Sequence, residues 1–213
     1  MSVTAVVVAA GRAERFGSLK QFLTLGNETV VRHSVARARS VADRVVVVVP
    51  ADYEGDGEGA DVVCIGGATR SASVRSGLSQ IGDADIVVIH DAARPFASPT
   101  LFSRVVSAVE SGADAAIPGI AVVDTLKRVA SSLPSFSLGT VERDELVAVQ
   151  TPQAFRTATL VAAHAHDAEA TDDAALVERA GGRVTIVEGE VSNRKITTRD
   201  DYEWAIWFEG SRS

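Results

Sequence analysis

At 213 residues the chain is long enough to bury one substantial core and does not require two. A hydrophobic fraction of 46% with 23% charged residues excludes the disordered class, and a formal net charge of -7 excludes general affinity for nucleic acid, which rewards a dense Lys/Arg face. The single cysteine, Cys64, excludes a disulfide framework and a cysteine-based zinc site, and fits an intracellular location.

The first apolar run, Val3 to Ala9, has no basic region ahead of it and runs into glycine, so it reads as a strand rather than a signal peptide. No apolar stretch approaches the roughly 18 to 20 residues needed to cross a bilayer, and a soluble, cytoplasmic protein without a membrane partner is expected. Directly after this strand comes A-A-G-R-A-E-R-F-G-S-L-K-Q, Ala9 to Gln21. Small residues at Ala9, Ala10 and Gly11 let the backbone approach a phosphate, to which Arg15 and Lys20 would add full charges. The segment is not a Walker A loop, because Ser18 and Leu19 separate Gly17 from Lys20, and it fails the dinucleotide fingerprint at Ala13. An ordinary turn with solvated basic side chains is the competing reading.

Val30, Val31, Val35, Ala38 and Val41 recur at helical spacing, which predicts a helix over Thr29 to Val41 with one face on a sheet. A strand over Val45 to Val49, a surface loop over Asp52 to Asp61 and a strand over Val62 to Ile65 follow. Then G-G-A-T-R-S-A-S-V, Gly66 to Val74, leads into a helix over Ala72 to Ile81. Its glycines permit close approach of a ligand, and Arg70 or Ser73 could bond a base or phosphate; Ser and Thr serving as helix caps is the alternative.

A strand over Ile86 to Ile89 runs into H-D-A-A-R-P, His90 to Pro95, and sets Asp91 at its carboxyl end, where open α/β sheets bind ligands. A carboxylate there can hold Mg²⁺ against a nucleotide's phosphates; otherwise Asp91 caps a turn and Arg94 is exposed. A helix over Thr100 to Ser111 and a strand over Ala115 to Ile117 follow. Ile120 to Gly139 reads as a hairpin around a polar turn with Pro134, an arm that cannot bury both its faces alone and suits contact with a second subunit.

The remaining elements are helices over Thr157 to His166, Asp172 to Arg179 and Asp200 to Phe208, with a strand over Val184 to Val187. His164 and His166 point to different helix faces and are read as surface residues. T-D-D-A is read as a helix cap in preference to a substrate contact through Thr171, and Trp204 and Trp207 as helix packing. Short Val/Ile/Ala runs alternating with helices predict an α/β fold, a mostly parallel sheet flanked by helices in one domain over residues 1–213.

The motifs A-A-G-x-x-x-R-F-G with K-Q, G-G-x-x-R-x-x-S-V, H-D-A-A-R-P, D-T-L-K, Q-T-P-Q-A-F, T-D-D-A and N-R-K-I-T-T occur in that order between about Val3 and Tyr202. Together they resemble the 2-C-methyl-D-erythritol 4-phosphate cytidylyltransferase family of the non-mevalonate isoprenoid pathway. The resemblance implies a Rossmann-like nucleotidyltransferase fold with a protruding β-hairpin arm, here 120–143, that builds a homodimer, and Mg²⁺ as cofactor. It implies transfer of CMP from CTP to 2-C-methyl-D-erythritol 4-phosphate, giving 4-diphosphocytidyl-2-C-methyl-D-erythritol and pyrophosphate. By that resemblance Ala9, Ala10 and Gly11 surround the triphosphate, while Arg15 and Lys20 stabilise the transition state. Gly67, Arg70 and Ser73 match the cytidine-recognition loop, and Asp91 and Ala92 match nucleotide contacts, with Asp91 on the metal. Arg94, Thr125, Arg143 and Lys195 match acceptor-site positions, Thr125 and Arg143 reaching across the subunit boundary and Arg143 and Lys195 counting as catalytic. Ala13, Ala68 and Ser192 depart from the family's usual residues.

A phosphate monoester with a second pKa of about 6 is largely dianionic near neutral pH and attacks the α-phosphorus of CTP without a base. The chemistry then needs cations to bring two anions together. The nearest alternative is the sister ribitol-5-phosphate cytidylyltransferase family; a non-catalytic nucleotide-binding protein is a third reading, against which Arg15, Lys20, Arg143 and Lys195 together speak.

Overall fold

The computed structural model describes residues 1–11, 19–165 and 168–212. Along the chain it forms β1 (Val3–Val8), a 3₁₀ turn (Lys20–Phe22), β2 (Thr24–Leu25), β3 (Glu28–Thr29), α1 (Val30–Ala38), β4 (Arg44–Val49) and β5 (Val62–Ile65). There follow α2 (Arg70–Leu78), β6 (Ile86–Asp91), α3 (Pro99–Glu110), β7 (Ala115–Ala121), β8 (Leu126–Val129) and β9 (Ser137–Val141). The last third holds β10 (Val147–Val149), β11 (Gln153–Arg156), α4 (Thr157–Ala163), α5 (Asp173–Arg179), β12 (Val184–Glu188) and α6 (Arg199–Gly210).

The main sheet has eight strands in the order β10, β7, β11, β6, β1, β4, β5, with β12 also on β7. β1 runs parallel to β4 and β6, β4 to β5, and β12 to β7, while β10 and β11 run against their neighbours. The apolar runs of β1, β4 and β6 are continuous because both faces of these central strands are covered. Ala5, Val7, Val45, Val47 and Val49 face one core with α1 and α3; Val6, Val46 and Val48 face the other with α2, α4 and α5. Gly77 lets α2 lie hard on the second face, since a Cβ there would stand 2.4 Å from Val6. A third cluster joins Leu25, Val30, Phe96, Ile196 and Ala205, seating α6 beside α1.

The expected elements all occur, with ends that differ by a few residues. Not expected were the 3₁₀ turn, the short pair β2 and β3, and the strands β10 and β11, which run antiparallel and insert between or beside the longer parallel strands. The expected hairpin is present as a separate two-stranded sheet, β8 with β9, running from Leu126↔Val141 to Val129↔Ser137. Trp204 packs edge-on to Phe96 as expected. Trp207 is 66% exposed and is not helix packing, because two residues along α6 it points away from the face that buries Ala205.

Candidate active site

Chain order brings three loops to the carboxyl ends of neighbouring strands: Ala9 to Gly11 after β1, Gly66 to Thr69 after β5, and Asp91 at the tip of β6. β1 is flanked by β4 on one side and β6 on the other, so this is where the strand order reverses and a crevice opens. The loops are fixed by backbone bonds: Ala9 N–H donates to Val48 O at 2.7 Å, Gly66 N–H to Val49 O at 2.8 Å, and Ala92 N–H to Val8 O at 3.1 Å. Gly66 touches the first loop directly, for a Cβ on it would lie 2.3 Å from the Cβ of Ala10. Gln21, buried at the far end of that loop, closes it by donating Nε2 to Ala9 O at 2.6 Å and Gly11 O at 3.0 Å. Lys20 opens the 3₁₀ turn and is partly buried; Arg15 lies outside the described residues.

Asp91 is the electrostatic centre. Its Oδ2 accepts from Lys195 Nζ at 2.6 Å and its Oδ1 from Arg70 Nε at 3.4 Å. Burial alone would raise this carboxyl's pKa, but Arg70, Lys195 and Arg94 outweigh it and hold the group well below the usual carboxylate range. Asp91 is therefore ionised at any working pH and does more than cap a turn. Arg94 is mostly buried, not exposed, and donates Nη1 to Asn193 O at 2.8 Å; burial lowers its pKa, and Asp91 partly offsets the effect. His90 is fully buried, with Nε2 facing Arg94 O at 3.1 Å and Nδ1 facing Thr151 Oγ1 at 3.2 Å. The carbonyl can only accept, so Nε2 carries the proton and Nδ1 accepts from the hydroxyl. Burial lowers this imidazole's pKa to about 4, the nearby Asp91 only partly opposing it, which keeps the ring neutral.

The cleft beside Asp91 has a volume of about 250 Å³ and is lined by Arg70, Arg94, Gln150, Thr151, Gln153 and Lys195, among others. Sequence reasoning gives Gln150, Gln153 and Asn193 no role. Asn193 is fully buried and donates Nδ2 to Thr151 O at 2.8 Å, while Gln150 donates Nε2 to Glu190 O at 2.8 Å, so these amides anchor the loop that delivers Lys195. The signal that could have found them was the Q-T-P-Q and N-R-K motifs themselves, which place amides on either side of the lysine loop. A larger hollow of about 490 Å³ lies along α1, but its Arg32 is neutralised by Glu28, Asp56 and Glu58, and none of the expected site residues lines it.

Other expectations change in the folded chain. Ser73 is buried and donates its hydroxyl to Thr69 O at 2.9 Å, a back-bond within α2, although an oxygen lone pair is still available. Thr171 does not cap α5; Asp172 does, its carboxylate accepting from Ala175 N–H at 3.0 Å. His164 is not a surface residue. It is buried at the end of α4, with Nε2 3.0 Å from Asp173 Oδ1, because α5 folds back against that face; His166 lies outside the described residues. Thr125 and Arg143 are exposed and neither lines the cleft; Arg143 donates instead to Val123 O at the base of the hairpin.

The family model described as "IspD: 2-C-methyl-D-erythritol 4-phosphate cytidylyltransferase" matches residues 3–208. The chain belongs to the 2-C-methyl-D-erythritol 4-phosphate cytidylyltransferase family. It is a nucleotidyltransferase, and the family's reaction is the CTP-dependent synthesis of 4-diphosphocytidyl-2C-methyl-D-erythritol in isoprenoid biosynthesis. The cytidylyltransferase of that name from Nocardia farcinica is 42% identical over 214 residues, covering 96% of this chain and 92% of the relative. A bifunctional IspD/IspF enzyme from Maricaulis maris is 44% identical over 220 residues; the match covers 96% of this chain and 56% of that enzyme, so this chain spans little more than half of it. The crystal structure of the Thermus thermophilus cytidylyltransferase superposes with a TM-score of 0.85 at 37% identity, covering 99% of this chain and 100% of that one. The likeness bears out the α/β fold with its mostly parallel sheet. Among the described residues no helix is long and apolar enough to cross a membrane.

Proposed function

We propose that this chain joins CTP to 2-C-methyl-D-erythritol 4-phosphate in the cleft beside Asp91, by charge and position and without a general base. The observation that carries the reading is the alternating cluster Lys195, Asp91 and Arg70 at the tip of β6, facing the glycine loops. A dianionic acceptor phosphate is already a nucleophile, so the site's task is to hold two anions together and steady the charge on the α-phosphoryl group. Arg15 and Lys20 would take the triphosphate side with the backbone of Ala9 to Gly11. Gly67 and Arg70 would take the nucleoside side with Ala92, and Ser73 would help through its free lone pair. Lys195 and Arg94 would take the acceptor side.

The donor set fits Mg²⁺ in the way the ion is held in nucleotide sites. Among the described residues no three His, Cys, Asp or Glu side chains gather into a cage. One ionised carboxylate at Asp91, with substrate phosphates and water, is enough for an ion that seldom takes an all-protein site. When bound, the ion would neutralise phosphate charge and polarise the phosphoryl oxygens. Lys195, released from Asp91, would then meet the acceptor phosphate.

The acceptor site would be completed by a second copy. Among the described residues β8 and β9 pair only with each other, and the hairpin exposes Leu133 (80%), Phe136 (85%) and Leu138, a set of apolar groups that a monomer seldom shows to water. A homodimer through this arm would cover them and bring Thr125 and Arg143 of one copy to the cleft of the other.

Pyrophosphate release with CTP against methylerythritol, ribitol, erythritol and hexose phosphates tests the reaction. Release requiring CTP and methylerythritol phosphate together is expected; equal rates with ribitol phosphate would remove the acceptor assignment. CTP is expected to be preferred over UTP, because a site bonded to cytosine's amino group leaves buried acceptors unpaired on uracil. Comparable specificity constants for the two nucleotides would remove the cytidine part.

A further inference from the structure

His164, expected on the surface, is the outer end of a chain of charged and polar groups that runs through the protein to Asp91. His164 Nε2 lies 3.0 Å from Asp173 Oδ1, Asp173 Oδ2 lies 2.8 Å from Arg70 Nη1, and Arg70 Nε lies 3.4 Å from Asp91 Oδ1. Lys195 closes the far end on Asp91 Oδ2 at 2.6 Å. Asp173 is wholly buried, and a buried carboxylate is costly unless both of its oxygens are met. Here Oδ1 is met by His164 at the end of α4, while Oδ2 lies in ion-pair contact with Arg70 at the start of α2 without hydrogen-bond geometry, so that oxygen depends on the guanidinium's charge alone. The carboxylate only accepts, so His164 presents a protonated Nε2, and the plane of Asp173 is set from behind.

We propose that Asp173, oriented by His164, is the positioning residue for Arg70, keeping its guanidinium in place when Asp91 turns to a bound ligand. Arg70 has two carboxylates, one on each side. Asp91 also serves Lys195 and is the one carboxylate of the cluster suited to a ligand's counter-charge, so it is the anchor that binding takes away. Asp173 does not line the cleft and stays paired whatever occupies it. A long Arg side chain tied at one fixed point loses far less order than one released altogether. Asp173 thus acts through Arg70 and touches no reacting atom. The inference rests on reading Gly66 to Val74 as the nucleotide loop.

The test is a double-mutant cycle on Mg-CTP binding, measured by calorimetry on the full chain, with Asp173→Asn and Arg70→Met. Arg70→Met alone is expected to weaken CTP binding at least about tenfold and Asp173→Asn by about tenfold, with the double variant no weaker than Arg70→Met. The KM for the acceptor should stay within about twofold of the parent in Asp173→Asn. A general structural role would instead give losses that multiply in the double variant, and that result overturns the proposal, as does a folded Asp173→Asn with parental CTP affinity. Should Asp173→Asn not fold by circular dichroism, His164→Leu, which fills the buried space but cannot donate, enters the same cycle with the same two readings. If Arg70→Met itself binds CTP normally, it is the nucleotide-loop reading that falls; if Arg70→Met is weak and neither partner variant is, only this inference falls.

Discussion

Lys20 begins the 3₁₀ turn that closes the first glycine loop, and the loop's two ends are tied by the single amide of Gln21. If this loop holds the triphosphate as proposed, a cation there would meet it most strongly as charge shifts toward the leaving pyrophosphate, and its effect would belong to the transition state more than to binding. Lys20→Ala should lower turnover about a hundredfold, on the order of 3 kcal/mol, while CTP affinity falls much less. Steady-state kinetics beside calorimetry checks this, and near-normal turnover would put Lys20 outside the chemistry. Gly66 gives a second expectation. A methyl group there would collide with Ala10, and overpacking of this kind costs about 1 to 3 kcal/mol, so Gly66→Ala should lower the melting temperature and weaken CTP binding together. These loop residues stand out in the sequence because small residues and a cation follow an apolar strand in a recognisable order. The sequence left His164 and Asp173 illegible: helical spacing shows that His164 and His166 face apart, not which of the two is covered, and the partner carboxylate comes from another helix.

At the scale of elements, the strands most plainly announced by the sequence are β1, β4 and β6, buried on both faces, where apolar runs have no competing explanation. β10 and β11 were hidden because each is short, and β11 carries Gln153 and Arg156 among its four residues. A polar strand reads as a loop until a sheet is there to receive it. The start of α6 was clear, and its cap is the firmest local device in the chain: Thr198 Oγ1 accepts from Asp201 N–H at 3.2 Å while Asp201 Oδ2 accepts from Thr198 N–H at 2.8 Å and Thr197 N–H at 2.9 Å. Burial by itself would raise the pKa of Asp201, but the Thr198 and Thr197 amides and Arg194 prevail and lower it. The unfolded carboxyl therefore takes up its proton at higher pH than the folded one. The stabilisation is complete above the unfolded value and fades as the pH falls through the folded one. Asp201→Ala should cost about 1 kcal/mol at neutral pH, and the difference from the parent in urea unfolding should shrink on acidification below about pH 4. A difference that grows instead would mean that the cap is not the source of the shift.

For the whole molecule the deciding question is why Arg143 is present at all, since among the described residues of one chain its guanidinium reaches the carbonyl of Val123 at the hairpin's base and does not line the cleft. On the proposed reading the cleft beside Asp91 would offer Lys195 and Arg94 to an acceptor phosphate, yet Arg94 already gives Nη1 to Asn193 O. A planar guanidinium that grips two phosphate oxygens at once would complete such a site, and a lysine could not reproduce the two parallel bonds. The exposed Leu133 and Phe136 on the same hairpin supply a reason for a second copy to bind there. If the hairpin of one subunit closes the cleft of the other, each site draws Lys20 from one chain and Arg143 from its partner. Arg143→Ala and Lys20→Ala are then both inactive as homodimers. A mixed dimer holds one site with both lesions and one with neither, so mixing the two variants under conditions that exchange subunits should restore up to about half the parental activity per mixed dimer, following the crossed-site geometry of a two-fold interface. Native mass spectrometry measures the mixed fraction and the pyrophosphate assay measures its turnover. Mixed dimers without activity would place Arg143 in its own subunit's site and leave the hairpin with a purely structural part in the dimer.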